Sequence, residues 1–158
     1  MRLQPIFVMC ALLMAASCIH AHRPERKLVF DIGGGVPFSR ALHVELLEAE
    51  DFRATGSGLP LTSSGPTTFR HRRTLNDSDV TRFLNLATLA AAEWRGTGER
   101  WPDCKGARLE ITGGPEAIST ASGCISEDWL RRPNIREFLA FLDQFLPSGW
   151  RANEVVGF

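Results

Sequence analysis

Few residues in this chain have the type and spacing for chemistry. His43 and Glu45 lie two apart in an alternating segment, so both project from one face of a strand. His71 could join them from a neighbouring edge. Two imidazoles and a carboxylate are metal ligands in kind, but no His-Glu-x-x-His or Cys-x-x-Cys cluster accompanies them. The expectation is a solvated strand face and no metal. His20 and His22 would bind metal only adventitiously. A nucleophilic serine wants a strained Gly-x-Ser-x-Gly elbow. Gly56-Ser57-Gly58 and Ser63-Ser64-Gly65 lack that frame. Gly33-Gly34-Gly35 follows a strand, but a second strand comes next, and a phosphate cradle needs a helix N-terminus there. It reads as a turn. Glu48, Glu50 and Asp51, and Glu127 with Asp128, are adjacent acids in loops, without the apolar pocket that would raise one pKa. No catalytic residue and no cofactor is assigned.

Two features remain. Arg70-His71-Arg72-Arg73 is the strongest local charge run. It reads as an edge strand guarded against pairing, and as the candidate binding patch for an acidic partner, lipid headgroups or polyanionic envelope material. Trp129 is either a core plug or an exposed recognition aromatic, with the core favoured.

The elements that must position these residues follow from periodicity. Leu28, Phe30 and Ile32 alternate with polar neighbours, as do Leu42, Val44 and Leu46, which predicts a hairpin around the glycines. Residues 54–68, rich in Gly, Ser, Thr and Pro, read as a loop, and residues 67–75 as a third strand. Val80, Phe83, Leu84, Ala87, Ala91 and Trp94 form one helical stripe, capped by Asn76 or Asp77 and ended by Gly96 and Gly98. Residues 108–112 and 117–124 predict a second hairpin around Gly113-Gly114-Pro115-Glu116. A second helix is expected from Asn134, as its cap, to Leu146, stopped by Pro147.

The N-terminus bears on location. Arg2, the uncharged run from Pro5 to Ser17 and small residues at its end have the form of a secretory signal, too short to span a bilayer, which needs about 20 apolar residues. Two routes stay open. A peptidase could cut after Cys18 or after Ala21. Alternatively, Met14-Ala15-Ala16-Ser17-Cys18 is an imperfect lipobox, with Ala15 where Leu is usual, and Cys18 would carry lipid. The expected organisation is a signal over 1–18, a flexible tether over 19–27, one globular domain over 28–147 and a tail over 148–158 whose Trp150 and Phe158 could dock back onto the domain. The expected location is exported: periplasmic or membrane-anchored through Cys18, alternatively secreted.

In an exported chain, Cys104 and Cys124 are expected to form one disulfide. If residues 113 and 116 flank the turn, Cys104 lies opposite residue 125, one away from Cys124. The 158 residues carry 18 basic and 18 acidic side chains. That balance offers no global electrostatic reason to bind nucleic acid. The expected partner is a protein or envelope component, with membrane contact only through a lipid anchor, and the protein is expected to be a monomer.

Phe30-Asp31-Ile32-Gly33-Gly34-Gly35 leading into Leu42-His43-Val44, the helix from Asp79, Asp103 before Leu109-Glu110-Ile111, and the helix over 138–146 together resemble small bacterial domains of the emfourin type, which inhibit thermolysin-like metalloproteases. The resemblance spans residues 28–146. It implies the architecture and, as a function, protease inhibition; no inhibitory residue is carried over. The disulfide, the longer central loop and the export signal depart from that pattern. The expected fold is α+β: an antiparallel sheet built from two hairpins and an edge strand, covered on one face by two helices, with one disulfide. The expected function is non-catalytic binding at the cell envelope or outside the cell, with a metalloprotease inhibitor or an enzyme of unrecognised type as alternatives.

Overall fold

Strict alternation builds a six-stranded, wholly antiparallel sheet. The computed structural model describes residues 25–33, 40–47, 51–58, 68–94, 105–113, 119–152 and 155. The strands are β1 (Lys27–Gly33), β2 (Ala41–Leu47), β3 (Asp51–Ser57), β4 (Thr68–Thr74), β5 (Gly106–Thr112) and β6 (Ser119–Cys124). The helices are α1 (Asp77–Trp94), α2 (Glu127–Arg131) and α3 (Pro133–Leu142), followed by a 3-10 turn over Asp143–Phe145. The sheet order is β4-β3-β2-β1-β5-β6. The expected α+β class and the edge position of the basic strand both hold.

One phase of each inner strand is apolar and buried: Leu28, Phe30 and Ile32 on β1, Leu42, Val44 and Leu46 on β2, Leu109 on β5. The helices cover this face. Phe83 of α1 and Phe138 of α3 meet at 5.8 Å, and Phe138 sits edge-on to Phe30 at 5.2 Å. Asn76 caps α1, accepting the Asp79 backbone N–H at 2.8 Å. The whole expected stripe of α1 is buried. Trp129 is buried against Trp94, its rings 5.0 Å apart, so the core alternative holds.

Four expectations need correction. The sheet has six strands rather than five, because Asp51–Ser57 form β3, which takes Asp51 out of the expected loop and claims the first four residues of the segment 54–68. Phe52, Ala54 and Gly56 are its buried phase. Small residues there carry little strand propensity, yet Gly56 is required: a Cβ would lie 2.2 Å from Phe69 and 2.8 Å from Trp150. Second, β5 and β6 pair as Gly106↔Cys124, one residue out of the expected register. Cys104, the other half of the expected disulfide, lies outside the described residues. Third, α3 begins at Pro133 and is not capped by Asn134. Arg132 holds the cap position without a side-chain bond, and Glu93 Oε2 accepts the Asn134 and Ile135 N–H groups at 2.9 and 3.3 Å. Fourth, α2 is a separate short helix, with Ser126 accepting the Trp129 N–H.

The C-terminal segment packs onto the domain: Trp150, Ala152 and Val155 are buried, and Trp150 meets Phe69 at 4.6 Å. Cys18, the signal, the tether up to Pro24 and Phe158 lie outside the described residues. No described helix is long and apolar enough to cross a membrane.

Candidate binding face

The polar phase of the strands forms the opposite face of the sheet, which no described helix covers. Register aligns one row across all six strands: Arg70↔Thr55, Thr55↔His43, His43↔Asp31, Asp31↔Arg108 and Arg108↔Ser122. These residues line a concavity at one end of the sheet, together with Gly33, Gly56, Ser57 and Thr68. His43 Nδ1 lies 2.5 Å from Asp31 Oδ1. That contact fixes the ring and leaves Nε2 as the nitrogen for a ligand. Thr55 stands beside His43 with an exposed hydroxyl, and Arg70 stands beyond it.

The adjacent rows are a lattice of opposite charges. Lys27 pairs with Glu45, and Arg53 lies 3.9 Å from Glu45. Arg53 and Arg72 both donate to Asp51, Arg72 Nε at 2.7 Å. Arg108 pairs with Glu110. The hydrogen bond from Lys27 holds the Glu45 carboxyl below its ordinary range, against the opposing effect of burial. Hydrogen bonds from Arg53 and then Arg72 lower that of Asp51. Arg70 makes no ion pair among the described residues, so its charge remains available at the rim of the concavity.

The four members of the basic run separate. Arg70 and Arg72 project onto the open face. His71 pairs with Ala54 and lies on the helix side, where Arg73 stacks over Phe145 at 5.5 Å. Alternation along β4 forbids a single four-residue patch. His43 and Glu45 do share the open face, as expected, but His71 is on the other one. Of His43, Glu45 and His71, only His43 lines the concavity; Asp103 lies outside the described residues. No group of three or more His, Cys, Asp or Glu with metal-site geometry occurs among the described residues. Sequence reasoning missed Asp31, Thr55 and Arg108. Asp31 was open to inference, since it is in phase with Lys27 and Val29 on β1 and faces His43 once the hairpin is centred on residue 37.

No family profile matches the chain. It is similar to the anhydro-N-acetylmuramic acid kinase of Rhizorhabdus wittichii, with 31% identity over 113 residues. The match covers 70% of this chain and 27% of the kinase, so the chain spans about a quarter of that relative's length.

Proposed function

We propose that this chain is an exported domain that acts by binding a partner bearing an acidic group, through the concave end of its open sheet face. The observation that carries the reading is the row Arg70–Thr55–His43. A guanidinium, a hydroxyl and an imidazole nitrogen stand side by side on three adjacent strands, with Asp31 orienting the imidazole. Such donors suit a carboxylate or phosphate, which can accept from the guanidinium, the hydroxyl and the imidazole together. The paired charges around the row keep the face soluble and ordered without competing for the ligand.

Location belongs to the same reading. Residues 1–18 act as an export signal, Cys18 carries lipid or is removed, and Cys104 and Cys124 form a disulfide. Affinity capture from the native envelope tests the proposal. Wild-type protein should retain a partner that Arg70→Glu and His43→Ala proteins lose; equal recovery by all three would contradict it. Mass analysis of the processed N-terminus decides whether Cys18 is acylated.

A second reading is inhibition of a secreted metalloprotease, favoured by the emfourin-type resemblance over residues 28–146. It is tested by assaying a thermolysin-like protease with the processed protein. A third starts from the kinase relative: the chain would work as one portion of a sugar-kinase-like assembly. Against it stands the hairpin after β1, where a phosphate-binding turn would lead into a helix.

A further inference from the structure

The sheet ends at β4, a strand of seven residues without proline, and among the described residues no strand pairs with its outer side. The phase of its backbone follows from one hydrogen bond at the far side of the sheet. Ile125 donates its N–H to the Lys105 carbonyl at 2.9 Å, in line with the Gly106↔Cys124 pair. Hydrogen-bonded pairs of an antiparallel ladder recur at every second residue, and a residue bonded to one neighbouring strand turns away from the other. No register shift interrupts the ladders, so the pattern carries across the sheet. The backbone-bonded pairs include Ala107↔Gly123, Arg108↔Asp31, Phe30↔Val44, His43↔Thr55 and Ala54↔His71. Thr68, Arg70, Arg72 and Thr74 therefore turn their backbone N–H and C=O groups outward.

The same four residues present their side chains on the open face. Among the described residues, Arg72 alone of the four has a polar side-chain partner, Asp51. The arginines of β4 oppose pairing with a second copy, which would set arginine against arginine. They favour a strand of opposite sign.

From this we propose that β4 is a recognition edge, at which an extended acidic peptide of a partner adds antiparallel as a seventh strand. Arg70 is shared with the row above, and the acidic chemistry of the partner rests on that reading. Pairing also sets the partner's sequence. The peptide residues opposite Arg70 and Arg72 lie two apart and stand on the open face, so both are Asp or Glu. The residue between them lies opposite His71 on the helix side, next to half-buried Phe69, where an apolar side chain gains contact. The signature is acidic-apolar-acidic in an extended segment.

The probe is a short, end-capped, labelled peptide with two glutamates separated by one valine, titrated with the full-length protein and followed by fluorescence anisotropy. Saturable binding is expected. An isomer with adjacent glutamates sets only one carboxylate opposite an arginine and should bind about two- to fivefold more weakly. N-methylation of either glutamate removes an N–H that β4 accepts and should weaken binding by about tenfold. N-methylation of the valine, whose N–H points away from β4, should leave binding within about twofold. Arg70→Glu protein should lose the peptide and recover binding when lysine replaces the glutamate opposite residue 70. In hydrogen exchange the amides of Arg70 and Arg72 should slow on binding, those of Phe69 and His71 being held already by β3. Equal binding by the two isomers, or by peptides N-methylated at glutamate, overturns the inference, because attachment would then be by charge alone. Inorganic phosphate has no backbone to pair and tests the row separately. Peptide binding beside a silent Thr55 and His43 in phosphate strikes the row and keeps the edge; the reverse strikes the edge.

Discussion

Phe83 is the sharpest test of the architecture, since it sits where both helices meet the sheet. It is fully buried, and four rings surround it: Phe52 at 5.9 Å, Phe138 at 5.8 Å, Phe141 at 5.4 Å and Phe145 at 5.7 Å. In Phe83→Ala the lost transfer of the ring costs roughly 2.5 kcal/mol. A void of about 80 Å³, partly relaxed, adds roughly 1–2 kcal/mol at about 24 cal/mol per Å³. Losing the edge-on contacts adds up to about 1 kcal/mol. The expected total is about 4–5 kcal/mol, a large share of a domain's stability of roughly 5–15 kcal/mol. Urea unfolding followed by tryptophan fluorescence reads it as a lower midpoint at unchanged slope. Leu89→Ala on the same helix, at a residue 50% exposed, should change stability by less than about 0.5 kcal/mol. A Phe83→Ala loss below about 1 kcal/mol would refute the packing of α1 against the sheet.

Three further outcomes are expected. Glu93→Ala should cost about 1–2 kcal/mol, because it strips the one oxygen that accepts two N–H groups at the start of α3; Glu93→Gln should recover part of that, measured by the same unfolding. Glu45 and Asp51 have folded-state pKa values below their ordinary ones, so their ion pairs stabilise the fold above the ordinary carboxylate range and lose that effect as pH falls through the lowered values. Thermal midpoints should therefore hold from about pH 7 to 5 and drop below about pH 4, less steeply in a Glu45→Gln, Asp51→Asn protein. Substituting Cys104 and Cys124 together with Ser should lower stability by about 2–4 kcal/mol, and alkylation of native protein should modify neither; full modification would exclude the bridge.

The elements legible in sequence are those with an uninterrupted period. Phe30 and Val44 sit in clean alternations, and Phe83 in a clean helical stripe, so β1, β2 and α1 could be placed from apolar spacing alone. β3 hid because its buried phase ends in Ala54 and Gly56, residues chosen by the bulk of Phe69 and Trp150 from distant parts of the chain. The cap of α3 was illegible for a similar reason: it comes from Glu93, 41 residues upstream of Asn134. The candidate site was only half visible. His43 and Glu45 could be assigned one face from their spacing, but the row through Arg70, Thr55, Asp31 and Arg108 depends on register between strands. Hairpin lengths set that register, and a shift of one residue sends a side chain to the other face. The split of Arg70 and Arg72 from His71 and Arg73 follows from alternation within one strand and needed no structure.

The central claim is that the open sheet face recognises an acidic group. A nuclear magnetic resonance titration of the labelled protein with inorganic phosphate and with a short acidic peptide, following the side-chain signals of Arg70 and His43, tests it. The account predicts saturable shifts at Arg70, Thr55 and His43, weakened by salt and absent in Arg70→Glu protein, while signals from α1 and α3 stay still. Shifts confined to the helices, or unchanged binding by Arg70→Glu protein, would contradict it.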